Sequence, residues 1–247
     1  MKVFDSTITK KELKEYVKTG GITSKKGVDF HDIKGQEHVK RGLEVAIAGG
    51  HSILLIGPEG AGKSKLSDAC IELASELDLF YKDIGDVTKQ KAVKEAEGEG
   101  LIIGNMLPCP CGNFTDPKRD CNCSPVDIQK YLGRVPGYIL DRIQIHLEVP
   151  KLNLEALTDK RRGECSANIR ERITAAIYDN TVISDTDKEA SELLKLAILE
   201  LGISARAYDK ILKVARTIAD LDSKDTIEAH HISEAISYRS LDRNLWG

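Results

Sequence analysis

Apolar positions along the chain fall into two regimes, short solid runs separated by helical stretches in the first half and helical spacing throughout the second. Over residues 37–48, Val39, Leu43, Val45 and Ala46 give a broad apolar face that predicts a helix, stopped by Gly49-Gly50. Ser52-Ile53-Leu54-Leu55-Ile56 is a nearly continuous apolar run of the length of a buried strand. Helical spacing returns over residues 65–77 through Leu66, Ala69, Cys70, Leu73 and Leu77. Residues 80–84 predict a short strand and residues 100–105 a buried parallel one. Between them, residues 89–99 are almost all Lys, Glu, Ala and Gln and read as a solvated helix or loop. Residues 143–149 alternate apolar with polar, which predicts an edge strand with one wet face, ended by Pro150.

From Asn153 onward the spacing is helical, over residues 164–178, 187–201, 204–221 and 232–238, with breaks at Gly202 and Asp222-Ser223. The pattern predicts an α/β nucleotide-binding core followed by a helical lid. It divides the chain into a polar appendage at 1–29, carrying a short charged helix at 10–17, a core at 30–150 and a lid at 151–247. Neither an internal repeat nor a low-complexity tract interrupts this order.

Composition narrows the class. The 247 residues are 41% hydrophobic and 30% charged, as in a soluble globular protein able to bury a core. A formal net charge of −3 supplies no global basic field, so contact with nucleic acid requires a local patch or several subunits acting together. No apolar run reaches membrane-spanning length and the first residues lack the apolar core of a signal peptide, so a cytoplasmic location with no membrane partner is expected. In that compartment the six cysteines are thiols or metal ligands rather than disulfides.

The candidate chemistry starts at Gly57-Pro58-Glu59-Gly60-Ala61-Gly62-Lys63-Ser64, between the predicted strand and the next predicted helix. Glycines at these places let backbone N–H groups turn toward phosphate oxygens, Lys63 adds a charge for the β/γ-phosphates and Ser64 can reach Mg²⁺. ATP with Mg²⁺ is the implied ligand; the competing reading is a glycine-rich turn that holds nothing. A second constellation, Cys109-Pro110-Cys111 and Cys121-Asn122-Cys123, lies in a loop at 106–124 rich in Pro, Gly, Asn and Asp. Four thiolates so placed can enclose one tetrahedral Zn²⁺, or stand as four free thiols. Cys70 and Cys165 read as packing residues, and His51, His146, His230 and His231 have no partner at a ligand spacing.

Several segments together resemble the magnesium chelatase-like AAA+ ATPases of the YifB/ComM type. They are Phe30-His31-Asp32-Ile33-Lys34-Gly35-Gln36, the P-loop, Pro108-Cys109-Pro110-Cys111-Gly112, Tyr131-Leu132, Leu140-Asp141-Arg142-Ile143, Ser204-Ala205-Arg206-Ala207-Tyr208 and residues 214–221. The resemblance covers residues 30–243 discontinuously and implies a P-loop AAA+ core with a reduced parallel sheet and a C-terminal helical lid. It implies that Ile33, Gly35 and Gln36 line the adenine pocket, that Arg142 is the finger reaching a neighbouring subunit's nucleotide, and that Arg206 is the lid's sensor arginine. Without the resemblance, either arginine reads as an exposed or salt-bridged surface charge. A homo- or hetero-oligomeric ring, a hexamer acting on DNA, follows from the same likeness.

The chain also departs from that family. No apolar run between Ser64 and Asn105 ends in the Asp-Glu pair that holds Mg²⁺ and activates water; Asp83, Asp86, Glu95, Glu97 and Glu99 sit in polar surroundings. The segment joining the P-loop helix to the cysteines is several times shorter than in the family. Leu107 stands where the family has Asn, with Asn105 two residues earlier, and the family's N-terminal domain is not recognisable. Three classes follow: an ATPase motor subunit, a nucleotide-gated regulatory subunit with impaired hydrolysis, and a zinc-stapled interaction module with a relic site. Chelatase-like metal insertion is a further alternative.

Overall fold

A computed structural model of the chain describes residues 27–159, 161–178, 185–201 and 205–239. The appendage and its expected helix at 10–17 lie outside these residues. A single 3-10 turn, Phe30–Asp32, leads to α1 (Glu37–Gly49), β1 (Ser52–Ile56), α2 (Lys63–Glu76), β2 (Tyr81–Asp86), α3 (Gln90–Glu95) and β3 (Leu101–Met106). The cysteine loop then precedes α4 (Pro125–Leu132), α5 (Gly137–Arg142) and β4 (Ile143–Glu148). The remaining helices are α6 (Leu154–Thr158), α7 (Ser166–Tyr178), α8 (Lys188–Leu201), α9 (Ala205–Leu221) and α10 (Ala229–Ser237).

The four strands form one parallel sheet in the order β2-β3-β1-β4. Parallel strands buried on both faces need apolar residues of both parities, and β1 supplies them. Ile53 and Leu55 pack with α1, α2 and the lid helices, whereas Leu54 and Ile56 pack with Tyr131, Leu132 and Ile139 from α4 and α5. The first of these cores runs without a break from Val39 and Leu43 through Ile173 and Ile218 to Ile232 and Tyr238. Arg41 reinforces it by donating to Glu234 at 3.1 Å and Asp222 at 3.3 Å, and Arg172 donates to the buried Glu44 at 2.7 Å.

Three expectations are met in part. β4 is an edge strand, but its second face is wet only at the end, where Glu148 is exposed: His146 is buried, its backbone N–H donates to Tyr238 O at 2.8 Å, and Arg239 donates to the carbonyls of Ile143 and Gln144. Tyr238 and Arg239, just after α10, cover the open edge at Ile143, Gln144 and His146, so the middle of the alternation meets protein instead of water. The segment at 89–99, expected as a solvated helix or loop, contains the helix α3 with Lys91 and Lys94 exposed, and what differs is that Ala92 within it and Ala96 just past its end are buried. β2 runs two residues beyond the expected end at Ile84, because Gly85, at φ 59°, absorbs a register shift against β3 and lets pairing continue to Asp86.

Candidate nucleotide-binding site

The P-loop leaves the carboxyl end of β1, where the strands on either side leave little room. Gly57 N–H donates to Met106 O at 3.3 Å, and a Cβ at Gly57 would lie 2.2 Å from the Val149 carbonyl oxygen, so glycine is required. Gly60 and Gly62 take φ of 76° and 97°, the left-handed region that lets the loop turn back into α2. The free N-terminal N–H groups of α2 therefore face the loop, with Ser64 exposed at the second helical position.

Lys63 Nζ crosses the loop and donates to Gly57 O at 2.5 Å and Pro58 O at 2.8 Å. Burial lowers its pKa and the charge of Lys151 acts in the same direction, while Glu59 and Asp86 oppose them. Those opposing charges show what surrounds the ammonium group. Beside the loop lies a cavity of about 550 Å³ lined by Asp32, Ile33 and Gln36 together with Gly60, Ala61, Gly62 and Lys65. Gln36 is fixed by its amide, which donates to Pro150 O at 2.6 Å. Gly35, at φ 55°, makes the turn that presents Ile33 and Gln36 and is itself off the wall.

The two arginines are elsewhere. Arg142 donates to Ala96 O and, at 3.2 Å, to Gly100 O, and the exposed Arg206 pairs with Asp141 at 3.2 Å. Neither lines the cavity. Asp86, in contrast, ends β2 in register with Asn105 of β3, which is in turn in register with Leu55 of β1. Its Oδ1 accepts from Thr88 N–H at 3.0 Å and Thr88 Oγ1 at 2.7 Å, and Oδ2 lies 3.7 Å from Lys89 Nζ. Asp86 and Asn105 thus stand at the same end of the sheet as the P-loop. The sequence hid this because a strand ended at Ile84 leaves Asp86 in a loop; the acidic residue closing Ile84-Gly85-Asp86 was the available signal.

The cysteine loop brings its four sulfurs together. Cys109 Sγ lies 3.4 Å from Cys111 and 3.7 Å from Cys121, Cys111 and Cys121 are 3.7 Å apart, and all four sulfurs lie within 4.8 Å of one another. A tetrahedron with Zn–S bonds of about 2.3 Å has edges of about 3.8 Å, so the residues present fit a four-thiolate metal. The Asn113 backbone N–H and then the Cys109 thiol draw the Cys111 thiol down to about 6, whereas Cys121 and Cys123, despite backbone hydrogen bonds that lower them, are raised by burial and by the neighbouring thiols. Cys70 stays apart, its thiol pushed up to about 12 by burial, as a packing residue should be.

The structure also groups Asp222, His230 and His231, which the sequence did not. His231 Nδ1 accepts the Glu228 N–H at 2.9 Å, which places the proton of the neutral ring on Nε2. An Nε2–H cannot ligate a metal, and His231 instead caps α10 with Glu228. His51 also gains a partner, Thr217 Oγ1 at 2.8 Å.

Comparison with known sequences places these features in a family. The family described as magnesium chelatase, subunit ChlI, matches residues 29–103 and 83–157, and the magnesium chelatase, subunit ChlI C-terminal family matches residues 178–239. The uncharacterized protein YifB of Escherichia coli is 28% identical over 313 residues, covering 88% of this chain and 61% of YifB. The competence protein ComM of Haemophilus influenzae is 29% identical over 329 residues, 94% of this chain and 64% of ComM. An uncharacterized protein of Mycobacterium tuberculosis is 21% identical over 90% of this chain and 64% of its own length. The chain thus spans less than two thirds of these relatives. An alignment of 313 positions against 247 residues must open gaps within this chain. No described helix is long and apolar enough to cross a membrane.

Proposed function

The chain belongs to the magnesium chelatase subunit ChlI family, and from that premise we propose that it binds Mg-ATP in the cavity beside the P-loop and hydrolyses it slowly. The observation that carries the reading is the complete loop from Gly57 to Ser64 at the end of the central strand, opening onto a cavity walled by Ile33 and Gln36. Backbone N–H groups and Lys63 are suited to the phosphates, Ser64 and Asp86 to Mg²⁺, and Ile33 to the base. Magnesium in such a site neutralises charge on the phosphates.

Slow turnover follows from what comes after Asp86. The next residue is Val87, fully buried, where water activation calls for a carboxylate. Asn105 at the neighbouring strand end is suited to contact the terminal phosphate, but an amide cannot accept the proton of an attacking water as a base. The site is therefore built to hold nucleotide more than to consume it.

In the same reading Arg142 acts between subunits of a homo- or hetero-oligomeric ring, a hexamer engaged with DNA, Arg206 is the sensor arginine that folds the lid over the nucleotide, and Cys109, Cys111, Cys121 and Cys123 hold a structural Zn²⁺. The name ComM, a competence protein, supports the DNA assignment by likeness. Calorimetric titration of the full chain with Mg-ADP and Mg-ATP, beside Lys63→Ala, tests the proposal. Loss of the charged phosphate contact should weaken binding about a hundredfold. Equal affinity of the variant would show that the loop is not the site.

A further inference from the structure

The cysteine loop does more than pack on the core: its middle reaches the cavity. Asp116, midway between Cys111 and Cys121, has a side chain wholly removed from solvent, an expensive place for a carboxylate unless its oxygens are satisfied. They are. Lys151 Nζ donates to Oδ2 at 2.5 Å and the Lys118 N–H donates to Oδ1 at 2.9 Å, and these bonds hold the Asp116 carboxyl below its usual range. Lys151 follows Pro150 directly after β4, and its charge is felt by Lys63. Both Lys151 and Lys118 line the cavity, together with Gly60, Gly62 and Lys65.

We propose that the four-cysteine loop forms the second wall of the nucleotide site, so that metal held by Cys109, Cys111, Cys121 and Cys123 keeps Lys118 and Lys151 facing the polyphosphate and sets nucleotide affinity. This rests on the reading of the cavity as the nucleotide site. The physical argument concerns order. The segment from Pro110 to Asp120 contributes almost no apolar burial, and among the described residues its backbone-to-backbone bonds are the Gly112 N–H to Cys109 O at 3.0 Å and the Asp116 N–H to Asn113 O at 2.9 Å. Such a loop keeps one conformation only if something closes it, and a metal joining Cys109 and Cys111 to Cys121 and Cys123 closes it around Asp116. Losing the metal frees the loop and with it the Asp116 latch. Lys118 then leaves the wall, and Lys151 loses the carboxylate that aims it. A polyanion bound there loses one or two cationic contacts.

The test uses the full chain with metal content measured, titrated with Mg-ADP. Lys118→Ala, a change at an exposed side chain, should keep its zinc and its thermal midpoint yet bind about tenfold more weakly. Removing zinc with a chelator should weaken the wild type at least as much, and zinc alone should restore it. In Lys118→Ala the same treatment should have a smaller effect, because the two perturbations act through one contact. Asp116→Asn should behave like zinc removal with the metal still present. If neither chelation nor Lys118→Ala alters affinity while Lys63→Ala abolishes it, the coupling is wrong and the nucleotide reading stands. If Lys63→Ala also binds normally, the nucleotide reading itself fails.

Discussion

Arg206 pairs with Asp141 at 3.2 Å, joining the first turn of α9 to the residue beside Arg142 in the same chain. Arg142 is itself turned onto the carbonyls of Ala96 and Gly100. Both arginines thus satisfy themselves within one subunit, and neither faces its own cavity. An exposed pair such as Arg206 and Asp141 is worth little in water, so a stronger anion such as a bound polyphosphate can displace it.

The first expected outcome concerns assembly. Mg-ATP should promote self-association of the wild type, seen as a shift in sedimentation velocity. Arg142→Ala should bind nucleotide within twofold of the wild type and lose that shift. Self-association that persists undiminished in Arg142→Ala would remove the arginine from the interface.

Turnover is the second. The isolated chain should hydrolyse ATP several powers of ten more slowly than a complete site, since base assistance alone is worth about 10²–10⁴. Asp86→Asn should reduce the Mg²⁺ dependence of ATP binding about tenfold, as loss of one metal-holding charge requires. Rapid Lys63-dependent turnover by the wild type would mean that a base other than the residue after Asp86 is in place.

Much of this was readable in advance for a physical reason: local signals settle local structure. β1, the P-loop and the helices at α1, α2, α7 and α9 each depend on spacing within a few residues, and they occur where the pattern puts them. What depends on distant partners was not readable. Asp86 matters because β2 pairs with β3, and Asp116 because Lys151 folds against it from 35 residues away. β2 itself, Tyr81-Lys82-Asp83-Ile84-Gly85-Asp86, shows no period of two because its two buried residues, Tyr81 and Ile84, stand three apart and enter the cores on opposite faces of the sheet. The helix α4 did carry a local mark, Ser124 and Asp127 capping each other, which the cysteine pattern beside it overshadowed.

Backbone room at the P-loop gives a third expectation. Because a Cβ at Gly57 would meet the Val149 carbonyl oxygen at 2.2 Å, Gly57→Ala must push the loop away from β4. Overpacking of this kind costs about 2 kcal/mol. In a chain of this length that lowers the thermal midpoint by about 6 °C. Nucleotide binding should weaken as well, since the displaced loop carries Lys63's acceptors. A variant with an unchanged midpoint would show that the loop yields freely.

The last expectation is a pH dependence, and its sign follows from one buried ring. His51 is pressed between α1 and α9, where burial first and the charge of Lys213 second lower its pKa from 6.5 to about 4. Thr217 Oγ1 donates its proton to Lys213 O at 3.2 Å, so His51 Nε2–H must donate to Thr217 and the neutral ring is already satisfied. Below pH 6.5 the unfolded chain takes up a proton at this histidine that the folded chain refuses, so stability falls as pH falls, until the folded ring also titrates near 4. The full loss is about 3 kcal/mol. Stability is therefore constant in this respect above 6.5 and declines through the window beneath it. His51→Gln keeps a donor for Thr217 without a titratable ring, so urea unfolding at pH 7 and pH 4.5 should show a smaller drop in the variant than in the wild type. Equal drops would mean that other groups, chiefly carboxylates, carry the acid sensitivity and that His51 is protonated in place.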